Sequence, residues 1–428
     1  MQAVRDRLIA VIEAVCGGAP KAHEVADGFG VHRKLGWQIW NIAYLDDPLA
    51  AIRHRPSERG LKAWRDAAQR RGAPAELLDA LTNSINALDR LAHKHADSRE
   101  LLEIMLDSAE PAALDAKAEL RWRKMAFTGN TYVWGVRART FLATSFQVPS
   151  QRPGFFDMVT LRGLFDLIRT RPNVRWPFAQ SVVYSSDDER HPAREPLAVT
   201  EATRDLGTPL LEAFCSKPLP PAQRRRGESG MLEDELAPGA VGQTGGSTIV
   251  TGEIIREVAP VYATTPGEDA MFGVGVRTPS ETLICDYLVH RDLFGPVRRE
   301  LRVYSELASP TPRDDRDRLP VSERVLELGR GISRIRTAEA PRYHEMVDFV
   351  LGRMGWDAEA FYVYRVRMRY APIPISVMVH HALPEAPEGV FPAGVTVMGD
   401  CPRRACANGP GEMGKRRREA PKPRGGME

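Results

Sequence analysis

The sequence predicts an α+β protein, with an all-helical N-terminal region followed by a larger sheet-containing domain. Apolar residues recur at helical spacing through about the first 126 residues, and from residue 131 the period changes to strand-like alternation. The chain has 428 residues, 43% hydrophobic and 27% charged, which is average globular usage and excludes wholesale disorder. At about 150 residues per domain, that length suggests two or three domains.

The first helix is drawn by Val4, Leu8, Val11, Ile12 and Val15, and Gly17, Gly18 and Pro20 break the chain after it. A short helix covers Lys21 to Gly28, and another runs from His32 to about Leu45, stopped by Asp46, Asp47 and Pro48. Ser57 is the N-cap of the next, with Leu61 and Trp64 on one face. After Pro74, the spacing Leu77, Leu81, Ile85, Leu88 and Ala92 makes a long helix. Asp97 or Ser98 caps a further one, and Pro111 opens one reaching about Met125.

Residues 131–142 then alternate as a strand, and strand-like runs return at Met158–Leu161, Ser181–Tyr184, Thr282–His290, Phe361–Tyr370 and Ile375–His380. Helices are expected at 320–332 and 341–355. Residues 217–250, rich in proline, glycine and charge, read as a mobile loop, because they carry too little apolar area to offset the entropy of ordering. Residues 401–428 read as a disordered basic tail. The expected divisions are 1–72, 73–126 and 127–400, followed by that tail.

Five cysteines, none in a CxxC pair, argue for a reducing compartment and against a disulfide scaffold or structural zinc. No run of eighteen apolar residues occurs, and Glu13 interrupts the first apolar run, so neither a membrane span nor a secretory signal is expected. A cytoplasmic location follows. The net charge is +3, with +4 on residues 1–71, +5 on residues 402–428 and −6 between them. Basic ends on an acidic body suit a polyanionic partner, though basic tails are also common on soluble proteins.

Residues 22–41, AHEVADGFGVHRKLGWQIWN, carry the most specific pattern. Val25 and Ala26 on one helix, then Phe29, Gly30 and Val31 at the corner, then Leu35 and Ile39 facing inward, resemble the helix-turn-helix of bacterial DNA-binding proteins. The likeness covers about twenty residues. Gly36 departs from it by standing where an apolar residue is usual, at a cost of about 1 kcal/mol of helix propensity. The resemblance implies that the second helix enters the major groove of duplex DNA, with His32, Arg33, Lys34 and Gln38 nearest to bases or phosphates. Arg53, Arg55, Arg59 and Lys62 would neutralise the DNA backbone, and a homodimer would supply two half-sites. Alternatively, Gly30 is the C-cap of an ordinary bundle turn, and the basic residues are a solvated face.

Two other classes compete. An enzyme or small-molecule binder would place its site in the larger domain, around Asp286, His290 and the strand bearing Arg365, Arg367 and Arg369. Asp286 and His290 share a strand face about 13 Å apart and so cannot touch; a satisfied structural polar pair, or plain surface residues, is the preferred account of them. The alternating arginines, with Arg137 and Arg139 on an earlier strand, form either a cationic surface or a solvated sheet face paired with neighbouring carboxylates. A structural or partner-docking protein would instead show an apolar patch over the second helix. His344–Glu345, His380–His381 and the Cys401–Cys406 pair lack metal-ligand spacing, and no phosphate-binding loop or nucleophile elbow is present. No cofactor, metal or catalytic set is assigned.

Overall fold

The computed structural model describes residues 1–47, 51–52, 54–108, 116–182, 194–226, 231–263, 267–295, 297–307 and 315–387. Arg53, the cysteines at 401 and 406 and the basic tail lie outside them. An N-terminal helical region precedes a large multi-sheet β domain, and the chain divides into two compact units, Met1–Glu119 and Leu120–Glu428.

The helical unit is built on the amphipathic spacing of its sequence. Helix α1 (Gln2–Cys16) buries Val4, Leu8, Val11 and Ile12. Helices α2 (Ala22–Phe29) and α3 (Arg33–Tyr44) bury Val25, Ala26 and Phe29, and Ile39 and Ile42. Ser57 caps α4 (Glu58–Arg70), its hydroxyl accepting from the Gly60 N–H at 3.2 Å. Leu78 and Leu81 of α5 (Ala75–His95) join the same core, so residues on both sides of position 72 share it. The rings of Phe29 and Trp64 meet at its centre, 5.1 Å apart. Helix α6 is Arg99–Ser108.

The boundary between helix and strand falls later than the periodicity suggests. Helix α7 is Ala116–Trp134, and strand β1 (Val136–Pro149) begins only after Gly135, whose φ of 70° turns the chain. Tyr132, Val133 and Trp134 are exposed, so no core imposes a period there and their alternation carries no strand information. Phe127 packs 5.2 Å from Tyr370, and the buried Arg123 guanidinium grips Glu323 with two hydrogen bonds, at 2.5 and 3.1 Å, which fixes this helix to the β domain.

The main sheet has the order β12-β13-β9-β1-β2-β7-β4. Its members are β1, β2 (Phe155–Arg169), β4 (Arg194–Pro196), β7 (Ser247–Pro260), β9 (Ser280–His290), β12 (Leu326–Arg330) and β13 (Phe361–Arg369). Among the described strands of this sheet only the β1–β9 pair is parallel. A second sheet, β11-β10-β14-β8, uses β8 (Asp269–Val276), β10 (Glu300–Ser305), β11 (Arg318–Leu319) and β14 (Ile375–Ala382). Leu283, Cys285, Tyr287 and Val289 of β9 share one core with Val274, Val303, Val377 and Val379 of that sheet. The opposite residues, Ile284 and Leu288, share a second core with Met346, Val347 and Val350 of helix α8 (Tyr343–Met354). Strand β9 is thus buried on both faces, which explains its nearly continuous apolar sequence.

Two further expectations are corrected. Residues 320–332 hold strand β12 where a helix was expected: Leu326–Arg330 pairs with β13 through a bulge near Gly329, so sheet pairing overrides helix propensity. Within 217–250, β5 (Ala222–Arg226) and β6 (Met231–Leu236) form a sheet with β3 (Trp176–Val182), and β7 starts at Ser247. The charges that suggested a mobile loop pair across those strands: Arg224 binds Asp234 at 2.7 and 2.8 Å. Ala222, Leu236 and Trp176 supply its apolar contacts to the core.

Candidate nucleic-acid interface

Helix α2 ends at Gly30, which adopts φ 64° and ψ 40°, the left-handed conformation that a side chain disfavours. The Gly30 N–H donates to the Asp27 carbonyl at 3.1 Å, and the Val31 N–H to the Ala26 carbonyl at 2.9 Å. These two bonds satisfy the last carbonyls of α2 and set the direction in which α3 leaves. His32 caps α3, its Nδ1 accepting from the Lys34 N–H at 3.2 Å. The Trp40 indole N–H donates to the Pro20 carbonyl at 2.9 Å and ties α3 to the segment preceding α2.

Gly36, which departs from the helix-turn-helix pattern, has a steric reason. A Cβ there would sit 2.5 Å from the Ala26 Cβ and 2.7 Å from its Cα, distances no side chain tolerates. The two helices approach so closely that their contact is glycine on alanine. Sequence propensity prices the glycine as a defect of one helix, but only the partner helix explains it.

His32, Arg33 and Lys34 are exposed in the first turn of α3, and Gln38, half-buried, follows one turn later. The first turn contains no acidic residue. Its two cations face the positive end of the helix dipole, an arrangement that an external anion would relieve. Gln38, His32 and Lys34 line a shallow hollow together with Leu35 and Ser57. Arg55 borders the same hollow, but its guanidinium is engaged bidentately by Asp89, with Nη2 to Oδ2 at 2.7 Å. Its charge is therefore already answered within the chain, which the sequence does not indicate. Arg71, which the sequence did not single out, lies over the corner, with its Nη2 3.1 Å from where a Gly30 Cβ would be. Trp37 is exposed on α3 beside these cations, edge-on to His54 at 5.0 Å. The helix surface is thus cationic in its first turn, with one aromatic behind it.

The competing constellation in the β domain resolves into structural pairs. Asp286 is 1% exposed and accepts two hydrogen bonds from Arg365, at 2.8 and 2.7 Å. The Tyr343 hydroxyl donates to the same carboxylate at 2.8 Å and meets the Thr144 hydroxyl at 2.8 Å. Sheet register makes this possible, because Thr144, Asp286 and Arg365 are direct neighbours on three adjacent strands. Burial raises the Asp286 pKa, while Arg365 and Tyr343 oppose that rise. The carboxylate is shut off from solvent. Arg365, at the middle of β13, is buried and not on a solvated face: Asp286 and the Ile335 carbonyl take its guanidinium.

His290 stands apart from Asp286. Its Nδ1 accepts from the Asp292 N–H at 3.3 Å, and burial lowers its pKa. Arg367 pairs with Glu339, Arg137 with Glu281 at 3.5 Å and Arg139 with Asp166 at 3.5 Å, so neighbouring carboxylates answer most of the arginine face. Among the described residues no group of His, Cys, Asp or Glu could hold a metal ion, and no helix is long and apolar enough to cross a membrane.

No protein-family model matches the chain, and no curated protein sequence is similar to it. A crystal structure from Parabacteroides distasonis, described as that of a candidate protease, aligns over 58% of this chain and 41% of its own at 8% identity, with a TM-score of 0.24. So low a score carries no conclusion about fold or activity.

Proposed function

We propose that the chain binds duplex DNA as a transcriptional regulator, placing the first turn of α3 in the major groove. The observation that carries this reading is the pairing of a left-handed corner at Gly30 with exposed, uncompensated cations at Arg33 and Lys34 immediately beyond it. A major groove about 12 Å wide admits a helix, and Arg and Gln present the forks that guanine and adenine accept. Arg33 and Gln38 are the candidate base readers. His32, Lys34 and Arg71 are the candidate phosphate contacts. One module of this size buries too little surface for tight binding, so a homodimer on two half-sites is part of the proposal. The protein would then act in the cytoplasm, on the chromosome.

The test is retardation of random duplexes by the full chain, followed by selection of bound fragments. Enrichment of a two-fold-related sequence, lost in Arg33→Ala/Lys34→Ala, supports the reading. Retardation that the double substitution leaves unchanged refutes it.

A further inference from the structure

On the β domain, the segment after β9 folds into an open-sided hollow of about 620 Å³. Its walls are Val289, Leu293, Val297 and Val325, and its floor includes Tyr362 and Tyr364 of β13. A volume in this range suits a small metabolite. Three guanidinium groups, those of Arg291, Arg298 and Arg299, line it against one carboxylate, that of Glu327.

Arg299 is oriented by neighbours other than a carboxylate. Arg299 is half-buried and lies flat on Tyr364, with its guanidinium carbon 4.0 Å from the ring centre, and Nη1 donates to the Val297 carbonyl at 3.2 Å. Among the described residues no carboxylate lies within ion-pair distance of Arg299 or of the exposed Arg298. Arg291 reaches only Asp292, at 4.0 Å. A guanidinium already desolvated and oriented, without a carboxylate, has little left to lose on meeting an anion.

The loop that carries them is anchored from beneath. Phe294 and Gly295 both adopt left-handed φ, 59° and 61°. A bulky residue rarely does so unless its surroundings impose it. The Phe294 ring is wedged among Phe156, Phe272 and His381, at 5.8, 5.7 and 4.6 Å, which supplies that constraint.

We infer that this hollow binds a small phosphorylated molecule, its phosphate dianion held between Arg298 and Arg299 and its body lying against Tyr362 and Val325. Two arginines without an ion pair among the described residues match a dianion, and the apolar walls match a non-ionic body. The inference does not depend on the DNA-binding proposal.

The experiment is calorimetric titration of the full chain with ribose 5-phosphate and AMP, beside ribose, adenosine and succinate. The expected result is at least about tenfold tighter binding of a phosphorylated probe than of its phosphate-free counterpart. Arg298→Gln, a substitution at an exposed site, should reduce that binding about tenfold without changing the melting temperature of the free protein. It should leave duplex retardation untouched, so the two proposals can fail separately. Equal binding of phosphorylated and phosphate-free probes would overturn the inference, as would preference for succinate or insensitivity to Arg298→Gln. Loss of DNA retardation in that variant would also overturn it, by assigning the hollow to nucleic acid.

Discussion

Gly36 and His381 show how a single side chain, or its absence, is decided by what lies opposite. Alanine at position 36 would gain about 1 kcal/mol of helix propensity. It would also drive a methyl group into the Ala26 backbone, 2.7 Å from Cα and 2.8 Å from N, where nothing flexible can yield. Overpacking of this kind costs about 1–3 kcal/mol and prevails. Gly36→Ala should therefore lower the denaturation midpoint, and adding Ala26→Gly should recover only part of the loss, because the backbone contacts remain. An unchanged midpoint would mean that the α2–α3 contact is looser than described.

His381 is 4% exposed, stacked 5.6 Å from Phe272, and neither ring nitrogen has a hydrogen-bond partner among the described residues. Burial, with Arg299 and His380 nearby, brings its pKa down to about 4. An unfolded histidine takes up its proton near pH 6.5, so below that value the unfolded state binds more protons and stability falls. The loss accumulates between about pH 6.5 and 4 and amounts to about 3 kcal/mol for this residue. His380, lowered to about 4 by burial and then by the neighbouring Arg302 charge, adds to it; Arg302 lies 3.2 Å from its Nδ1. Urea titrations at several pH values should show a shallower acid limb for His381→Phe. An identical limb would remove His381 as its source.

Among the elements, β9 and α8 are joined by the Thr144–Asp286–Tyr343–Arg365 network. Removing one member of a buried ion pair strands the other, so Arg365→Met should destabilise by about 3–5 kcal/mol. Tyr343→Phe removes one hydrogen bond to a carboxylate that keeps two others and should cost about 1–2 kcal/mol. Asp286→Ala/Arg365→Ala should cost less than the sum of its single substitutions, the mark of a coupled pair. Additive values from denaturant unfolding would show that the two side chains act separately.

The same strand shows what a sequence can and cannot say about an element. The alternation of Phe361–Tyr370 identified β13 to within a residue, because a strand's period is local. It did not reveal that Arg365 is buried, since that depends on Asp286 and the Ile335 carbonyl meeting it from elsewhere in the chain. Helix α7 and strand β12 were misread for the converse reason. The exposed Tyr132–Trp134 stretch has no core to impose a period, and Leu326–Arg330 takes its conformation from pairing with β13.

For the whole molecule, the distribution of charge matters more than its sum. If the cations of α3 meet phosphates, the dependence of DNA affinity on salt should be steep, and each lost contact should flatten it by about one unit of log–log slope. Retardation measured at several salt concentrations should show a slope reduced by about one for Lys34→Ala and by about two for Lys34→Ala/Arg71→Ala. Arg55→Ala should leave it unchanged, because Asp89 already holds that guanidinium. A slope that ignores Lys34 and Arg71 would place the electrostatic contact elsewhere.

Local patterning was sufficient to divide the chain into a helical region and a sheet domain, to place the first five helices and strands β9, β13 and β14, and to mark Gly30 as a left-handed corner. Periodicity and backbone sterics act over a few residues, so one stretch of sequence contains their whole cause. The tertiary structure alone decided which arginines are free. Arg55, Arg224 and Arg365 are spent on carboxylates 34, 10 and 79 residues away, whereas Arg298 and Arg299 line a hollow and form no ion pair among the described residues. The partner of a charge is chosen by where the chain returns in space, and a linear pattern does not record that.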